Sequence, residues 1–200
     1  MINNLREETI KNIFNRYEME PSHAKQVTKI ALIIFDKTKG LIHNLGLNER
    51  DLLEAGTLLH DIGYYIAAKG HNKNSYKLIE KETLPGFSER EKEIIGNIAR
   101  YHRGKMPKSK HSCYEALTGN EKSIVNKLSA FVRVADALDR THCSVVDNLD
   151  FIYDSFSHTL TVLLKLHTPD CSFEILKAND KKDLFEKEFN LELRFEVASR

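Results

Sequence analysis

The stretch Leu52-Leu53-Glu54-Ala55-Gly56-Thr57-Leu58-Leu59-His60-Asp61 reads as a buried helix that ends on an imidazole and a carboxylate. Asn48 is the expected cap of that helix and Gly63 its stop signal. Burying a polar group without a partner costs about 1–3 kcal/mol, and an ion costs more, so residues elsewhere should compensate the pair. Two candidates stand out. His23 lies on the stripe Val27, Ile30, Ala31 and Ile34 of a helix expected to be capped by Ser22. Asp136 takes a core position in the stripe Val125, Leu128, Val132, Asp136 of a helix predicted from Asn120 to about Arg140.

With 200 residues and 41% hydrophobic content, the chain can bury a core of ordinary size. Thirty basic and 29 acidic residues leave a formal charge of +1, which argues against binding a nucleic-acid polymer or a membrane through net charge. Cys113, Cys143 and Cys171 form no CxxC pair, and the N-terminal residues are too charged for a signal peptide. A reducing cytoplasm is the expected location.

Around these helices the pattern predicts an opening helix from Asn4 to Tyr17. An irregular segment from Gly70 to Tyr76 leads into a short helix, followed by a turn over Leu84-Pro85-Gly86-Phe87. Ser88-Glu89-Arg90-Glu91 is a capping box opening a helix that runs to His102. Beyond Cys143 the texture changes. Residues 149–153 and 159–166 read as strands, a charged helix covers Phe173 to Phe189, and residues 191–197 form a last strand. The expected fold is mostly α: a helical bundle over about residues 1–144 and a small α+β (ββαβ) subdomain over 145–200. An edge strand of that tail could pair a second copy as a homodimer.

The order His23, His60-Asp61, Asp136 resembles the metal-binding pattern of the HD superfamily of phosphohydrolases. Each residue alone has an ordinary structural reading: His23 as a satisfied core histidine, Asp136 as an ion pair with Arg133 or Arg140, His60-Asp61 as a capping device. Together they offer two imidazoles and two carboxylates, a set suited to Mn²⁺, Mg²⁺, Fe²⁺, Co²⁺ or Ni²⁺ and not to a structural zinc site. A metal-activated water is then the expected nucleophile on a phosphate ester or anhydride, with Asp61 and His102 as the catalytic pair. His71 and His102 could hold a second ion, stand in the outer shell of the first, or donate a proton to a leaving group. Between Ile94 and Tyr114 there is no acidic residue. Arg103 and Lys105 in that basic stretch, and Arg140 one turn after Asp136, are the candidate phosphate ligands.

A closer resemblance rests on Leu59-His60-Asp61-Ile62-Gly63-Tyr64, Ser75-Tyr76, Arg100-Tyr101-His102-Arg103, Arg133-Val134-Ala135-Asp136-Ala137-Leu138-Asp139-Arg140-Thr141-His142 and Lys182-Asp183-Leu184-Phe185-Glu186. These look like the C-terminal region of the exopolyphosphatase and guanosine pentaphosphate phosphatase family, over nearly the whole chain. Full-length members carry an actin-like module before this region, and the expectation here is a free-standing helical region without it. The resemblance implies a phosphohydrolase acting on a nucleotide or polyphosphate-like anion. The alternative is a non-catalytic module that binds such an anion and docks on a separate actin-like partner. Related sequences often read His-His-x-His-Ser where this chain has His71-Asn72-Lys73-Asn74-Ser75, so a single ion with His71 and His102 around it is expected.

Overall fold

A computed structural model describes residues 4–168 and 170–198. Seven helices come first: α1 (Asn4–Tyr17), α2 (Pro21–Thr38), α3 (Leu47–Leu58), α4 (His71–Lys81), α5 (Glu89–Tyr101), the one-turn α6 (Ser112–Glu115) and α7 (Gly119–Ala137). A 3-10 turn, Ile62–Tyr65, separates α3 from α4. Then follow β1 (Val146–Asp154), β2 (Thr159–Leu166), α8 (Ser172–Asn179), α9 (Asp183–Phe189) and β3 (Glu192–Val197). The mostly helical fold with a small C-terminal sheet is the one expected.

Helix starts follow the local chemistry of the chain more closely than the hydrophobic pattern suggests. Ser88 and Glu91 form the expected capping box of α5, the Glu91 N–H donating to Ser88 Oγ and the Ser88 N–H to Glu91 Oε2 at 2.8 Å. The α7 helix opens one residue before Asn120, because Thr118 and Glu121 build a second box there. Two expected caps are corrected. Ser22 lies inside α2, whose first residue is Pro21, where a missing N–H is harmless. Asn48 lies inside α3, which follows Gly46, whose N–H donates to Glu49 Oε2 at 2.7 Å. The irregular segment expected from Gly70 is helical from His71 onward.

The core lies between α2, α3, α5 and α7, where Phe35, Leu52, Leu53, Ile95, Ile98, Phe131 and Val132 are all buried. The sheet has the order β1-β2-β3. The β1 and β2 strands pair antiparallel, with Leu149 opposite Leu164, while β2 and β3 run parallel, with Leu160 opposite Leu193. Gln26 of α2 donates to the Val146 carbonyl at 2.5 Å, and Lys37 to the Leu149 carbonyl at 2.7 Å, tying α2 to β1. Phe131 stacks on Phe189 and meets Phe185 edge-on, tying α7 to α9. The single helix expected over 173–189 is two helices, so the tail reads ββααβ. Among the described residues, no helix is long and apolar enough to cross a membrane.

Candidate metal centre

His23, His60, His71, His102 and Asp136 each sit at or near a helix end and surround Asp61. Three histidines are turned by the carbonyl three residues back: His60 Nδ1 donates to Thr57 O at 2.7 Å, His71 Nδ1 to Ala68 O at 3.0 Å, and His102 Nδ1 to Ala99 O at 2.6 Å. A carbonyl can only accept, so Nδ1 carries the proton and Nε2 presents a lone pair to the interior. His23 is turned differently, with Nδ1 2.7 Å from Asp139 Oδ2.

All four Nε2 atoms then meet carboxylates. His23 Nε2 lies 3.4 Å from Asp136 Oδ1 and 3.9 Å from Asp61 Oδ2. His60 Nε2 lies 3.5 Å from Asp61 Oδ2 and 3.8 Å from Asp136 Oδ1. The other oxygen of Asp61, Oδ1, faces His71 Nε2 at 3.2 Å and His102 Nε2 at 3.4 Å. Asp61 thus divides its two oxygens between two groups, His23 with His60 and His71 with His102, whose ligand atoms lie within 4.8 Å of one another in each group.

The donor chemistry fits a divalent cation. His23 Nε2, His60 Nε2 and Asp61 Oδ1 are buried with no hydrogen-bond partner. At about 1–3 kcal/mol each, three such atoms cost a large share of the roughly 5–15 kcal/mol by which a domain is stable. Imidazole nitrogen with carboxylate oxygen suits Mn²⁺, Fe²⁺, Co²⁺, Ni²⁺ or Mg²⁺, and one cation compensates several of these atoms at once.

The electrostatics divide the rings into two kinds. Burial pushes His102 down to about 3, so at neutral pH its ring is uncharged, and its inward nitrogen offers a lone pair in place of a proton. Burial lowers His71 as well. Burial would lower His23 too, but the facing carboxylates of Asp136 and Asp139 override it and push His23 up to about 10, so its ring is protonated at neutral pH and a cation would have to displace the proton from Nε2. Asp136 is pulled upward by burial, and contact with His23 instead holds it below the usual carboxylate range.

Local sequence explains the placement. Gly63, expected only as a stop signal, is where the chain passes against α4: a Cβ there would stand 2.0 Å from His71 O and 2.4 Å from Ser75 N. The buried Ser75 hydroxyl accepts from Gly63 N–H at 2.9 Å and donates to His60 O at 2.7 Å, fastening the turn that carries Asp61. Asp136 makes neither of the ion pairs weighed for it, since the buried Arg133 bonds Asp183, Tyr101 O and Gly104 O. Outer faces are covered by rings. His142 stacks on His23 at 3.8 Å and Tyr64 on His71 at 3.9 Å.

Of the expected phosphate ligands, Arg103 and Arg140 line one cavity of about 310 Å³ that Asp136 also borders. Lys105 does not share it: Gly104, at φ 73°, turns the chain, and Lys105 lines a different cavity with Asn72, Arg100 and His111. Asn72 and Asn74, which stand where related sequences often carry histidines, donate to the Arg100 and Ala67 carbonyls. Sequence reading missed Asp139, whose signal was its place one turn from Asp136 beside Arg140. It also missed Tyr64, His142, Lys177 and Lys181, for which the sequence offers no local signal.

The family described as Ppx/GppA phosphatase, domain III, matches residues 5–188. Similar proteins include guanosine-5'-triphosphate,3'-diphosphate pyrophosphatases. That of Vibrio campbellii is 31% identical over 104 residues, 52% of this chain and 21% of that protein. That of Pseudoalteromonas translucida is 28% identical over 131 residues, 66% of this chain and 26% of that protein. That of Aliivibrio fischeri strain ES114 is 34% identical over 97 residues, 48% of this chain and 19% of that protein. The matched part is therefore between 19% and 26% of these relatives. By the extent of the family match, this chain belongs to the Ppx/GppA phosphatase family, to which it corresponds as domain III.

Proposed function

We propose that the chain is a metal-dependent phosphohydrolase of the HD type, cleaving a phosphate ester or anhydride of a nucleotide or polyphosphate-like anion. His23, His60, Asp61 and Asp136 would hold one divalent ion; in place of the single ion expected from the sequence, Asp61 with His71 and His102 would hold a second, because Asp61 Oδ1 faces both rings at 3.2 and 3.4 Å. The observation that carries this reading is the convergence of four Nε2 atoms on two carboxylates, with three of the rings held in the lone-pair-inward tautomer by backbone carbonyls. Bound there, a divalent ion supplies charge neutralisation for the phosphoryl oxygens and an acidified water. The chain's own part is to hold the ligands and to exclude bulk water from behind them with the rings of His142 and Tyr64. Arg103 and Arg140 border the same space and would meet the phosphate oxygens. In this role His102 is a ligand and not a proton donor, because its one N–H is spent on Ala99 O.

The Vibrio and Pseudoalteromonas proteins are named for hydrolysis of a guanosine polyphosphate, which supports a substrate of that chemical class. The test is phosphate release by purified protein with Mn²⁺, Mg²⁺, Co²⁺ or Ni²⁺ in turn, across nucleotides, tripolyphosphate and an aryl phosphate, beside Asp61→Ala. Metal-dependent turnover that falls at least a hundredfold in the variant is the expected result. Turnover that survives in Asp61→Ala overturns the assignment.

A further inference from the structure

Glu18 lies in the short link between α1 and α2, outside the residues assigned so far. Its N–H donates to Phe14 O at 2.8 Å, and its Oε1 accepts from the Glu20 N–H at 2.9 Å. Its other oxygen, Oε2, is buried and has no hydrogen-bond partner. Among the described residues, the second carboxylate oxygen in that condition is Asp61 Oδ1, at the centre of the cluster. Both neighbours of Glu18 that carry charge or a hydroxyl are engaged elsewhere: Tyr17 donates to Glu82, and Glu20 meets His142, whose ring lies on His23. The side-chain charges that act most on Glu18 are those of His60 and Asp61, so its free oxygen belongs to the surroundings of the cluster. Yet it joins neither group of ligand atoms lying within 4.8 Å of one another. It stands back from the ligands, where a water and not a cation would meet it.

A buried carboxylate oxygen without a partner destabilises the fold, so bracing the link does not account for it; a neutral side chain would accept from Glu20 equally well. Hydrolysis, by contrast, needs a group to take a proton, and the ligand set offers none. The Nδ1 protons of His60, His71 and His102 are held by backbone carbonyls, and their Nε2 atoms, with Asp61 and Asp136, are committed as ligands. We propose that Glu18 is the proton acceptor of the site, its Oε2 receiving the proton of the water that attacks phosphorus. As the water oxygen bonds to phosphorus, the P–O bond to the leaving group breaks and its electron pair goes to the leaving oxygen. The proton on Glu18 returns to solvent as product departs. Burial raises the Glu18 carboxyl, and Asp61 adds to the rise against the pull of the Glu20 N–H and of His60, which makes it a stronger base. This role rests on the phosphohydrolase reading above, with the same divalent cation neutralising the phosphoryl oxygens.

The experiment compares the full chain with Glu18→Gln, which keeps an acceptor for the Glu20 N–H and removes the charge. After chelator treatment, the Tm of the variant should be no lower than that of the parent. Its Mn²⁺ affinity, read by competition with a metal-sensing dye, should stay within twofold. With the metal and substrate of the panel above that give the fastest turnover, kcat should fall by about a hundredfold or more, the usual effect of losing a general base, with KM within threefold. Added formate should restore at least tenfold of the activity of Glu18→Ala, a small carboxylate taking the vacated place, and should restore none to Asp61→Ala. A kcat within threefold of the parent in Glu18→Gln overturns the proposal, and the phosphohydrolase reading survives if Asp61→Ala is still inactive. Mn²⁺ affinity at least tenfold weaker in Glu18→Gln makes Glu18 a ligand, and a loss that formate does not restore, or a lower Tm, makes it a brace for the link; either result overturns the proposal. A parent with no turnover under any metal defeats the phosphohydrolase reading and this role together.

Discussion

Asp139 stands behind His23: its Oδ2 meets His23 Nδ1 at 2.7 Å, while its Oδ1 accepts from the Ser144 backbone N–H at 2.8 Å. A carboxylate so held orients the ring and strengthens the opposite nitrogen as a ligand, an arrangement whose loss typically costs ten- to a hundredfold in metal affinity. Asp139→Asn should therefore fold and bind Mn²⁺ about ten- to a hundredfold more weakly. Competition with a metal-sensing dye measures this, and unchanged affinity would remove Asp139 from the site.

Metal itself should stabilise the fold. An ion that binds only the native state adds about 2.7 kcal/mol when its free concentration is a hundred times Kd. For a chain of this length that raises Tm by roughly 5–10 °C. Thermal scans with chelator and with Mn²⁺ should show the rise in the parent and none in His60→Ala; equal rises in both would mean that the ion sits elsewhere.

Gly63→Ala forces a methyl group against backbone atoms of α4 that cannot move aside, at 2.0 Å from His71 O. Overpacking of this kind costs about 1–3 kcal/mol, occasionally more. The expected outcome is a Tm lower by roughly 3–10 °C, together with weaker metal binding, because the shift separates His71 from Asp61. A variant as stable as the parent would show that the close approach is not needed.

Glu121 gives a pH dependence away from the centre. Hydrogen bonding to Arg90, with help from Thr118, holds its carboxyl down to about 2, below the ordinary 4.5. A depressed carboxylate stabilises the fold fully above its unfolded value, and that contribution is lost as pH falls from about 4.5 toward about 2. Denaturant titrations across that window should show a shallower loss of stability in Glu121→Gln than in the parent. Parallel curves would contradict the assignment.

The helical character of the chain and the meeting of His23, His60, Asp61 and Asp136 were legible because each of these residues interrupts or ends an apolar helical stripe, where a polar group demands a reason. The α5 start was legible from Ser88 and Glu91 alone. Other features were hidden for physical reasons. The break between α8 and α9 falls at Asp180 to Lys182, where no glycine or proline marks it. Lys177 and Lys181 look like ordinary residues of a charged helix and reach Arg140 only through docking of distant segments. Gly63 carried the right signal with the wrong cause: its small size serves the contact with α4 as much as the end of a helix.

The parallel pairing of β2 with β3 has a consequence beyond the sheet. Two parallel neighbours cannot be joined by a tight hairpin, so the chain must travel back along its own length before the last strand can begin. That return journey, from Leu166 to Glu192, is what carries α8 alongside the end of α7. Had β3 turned straight back against β2, the two lysines would have no route to the arginines, and the space beside Asp136 would open on water with a single wall.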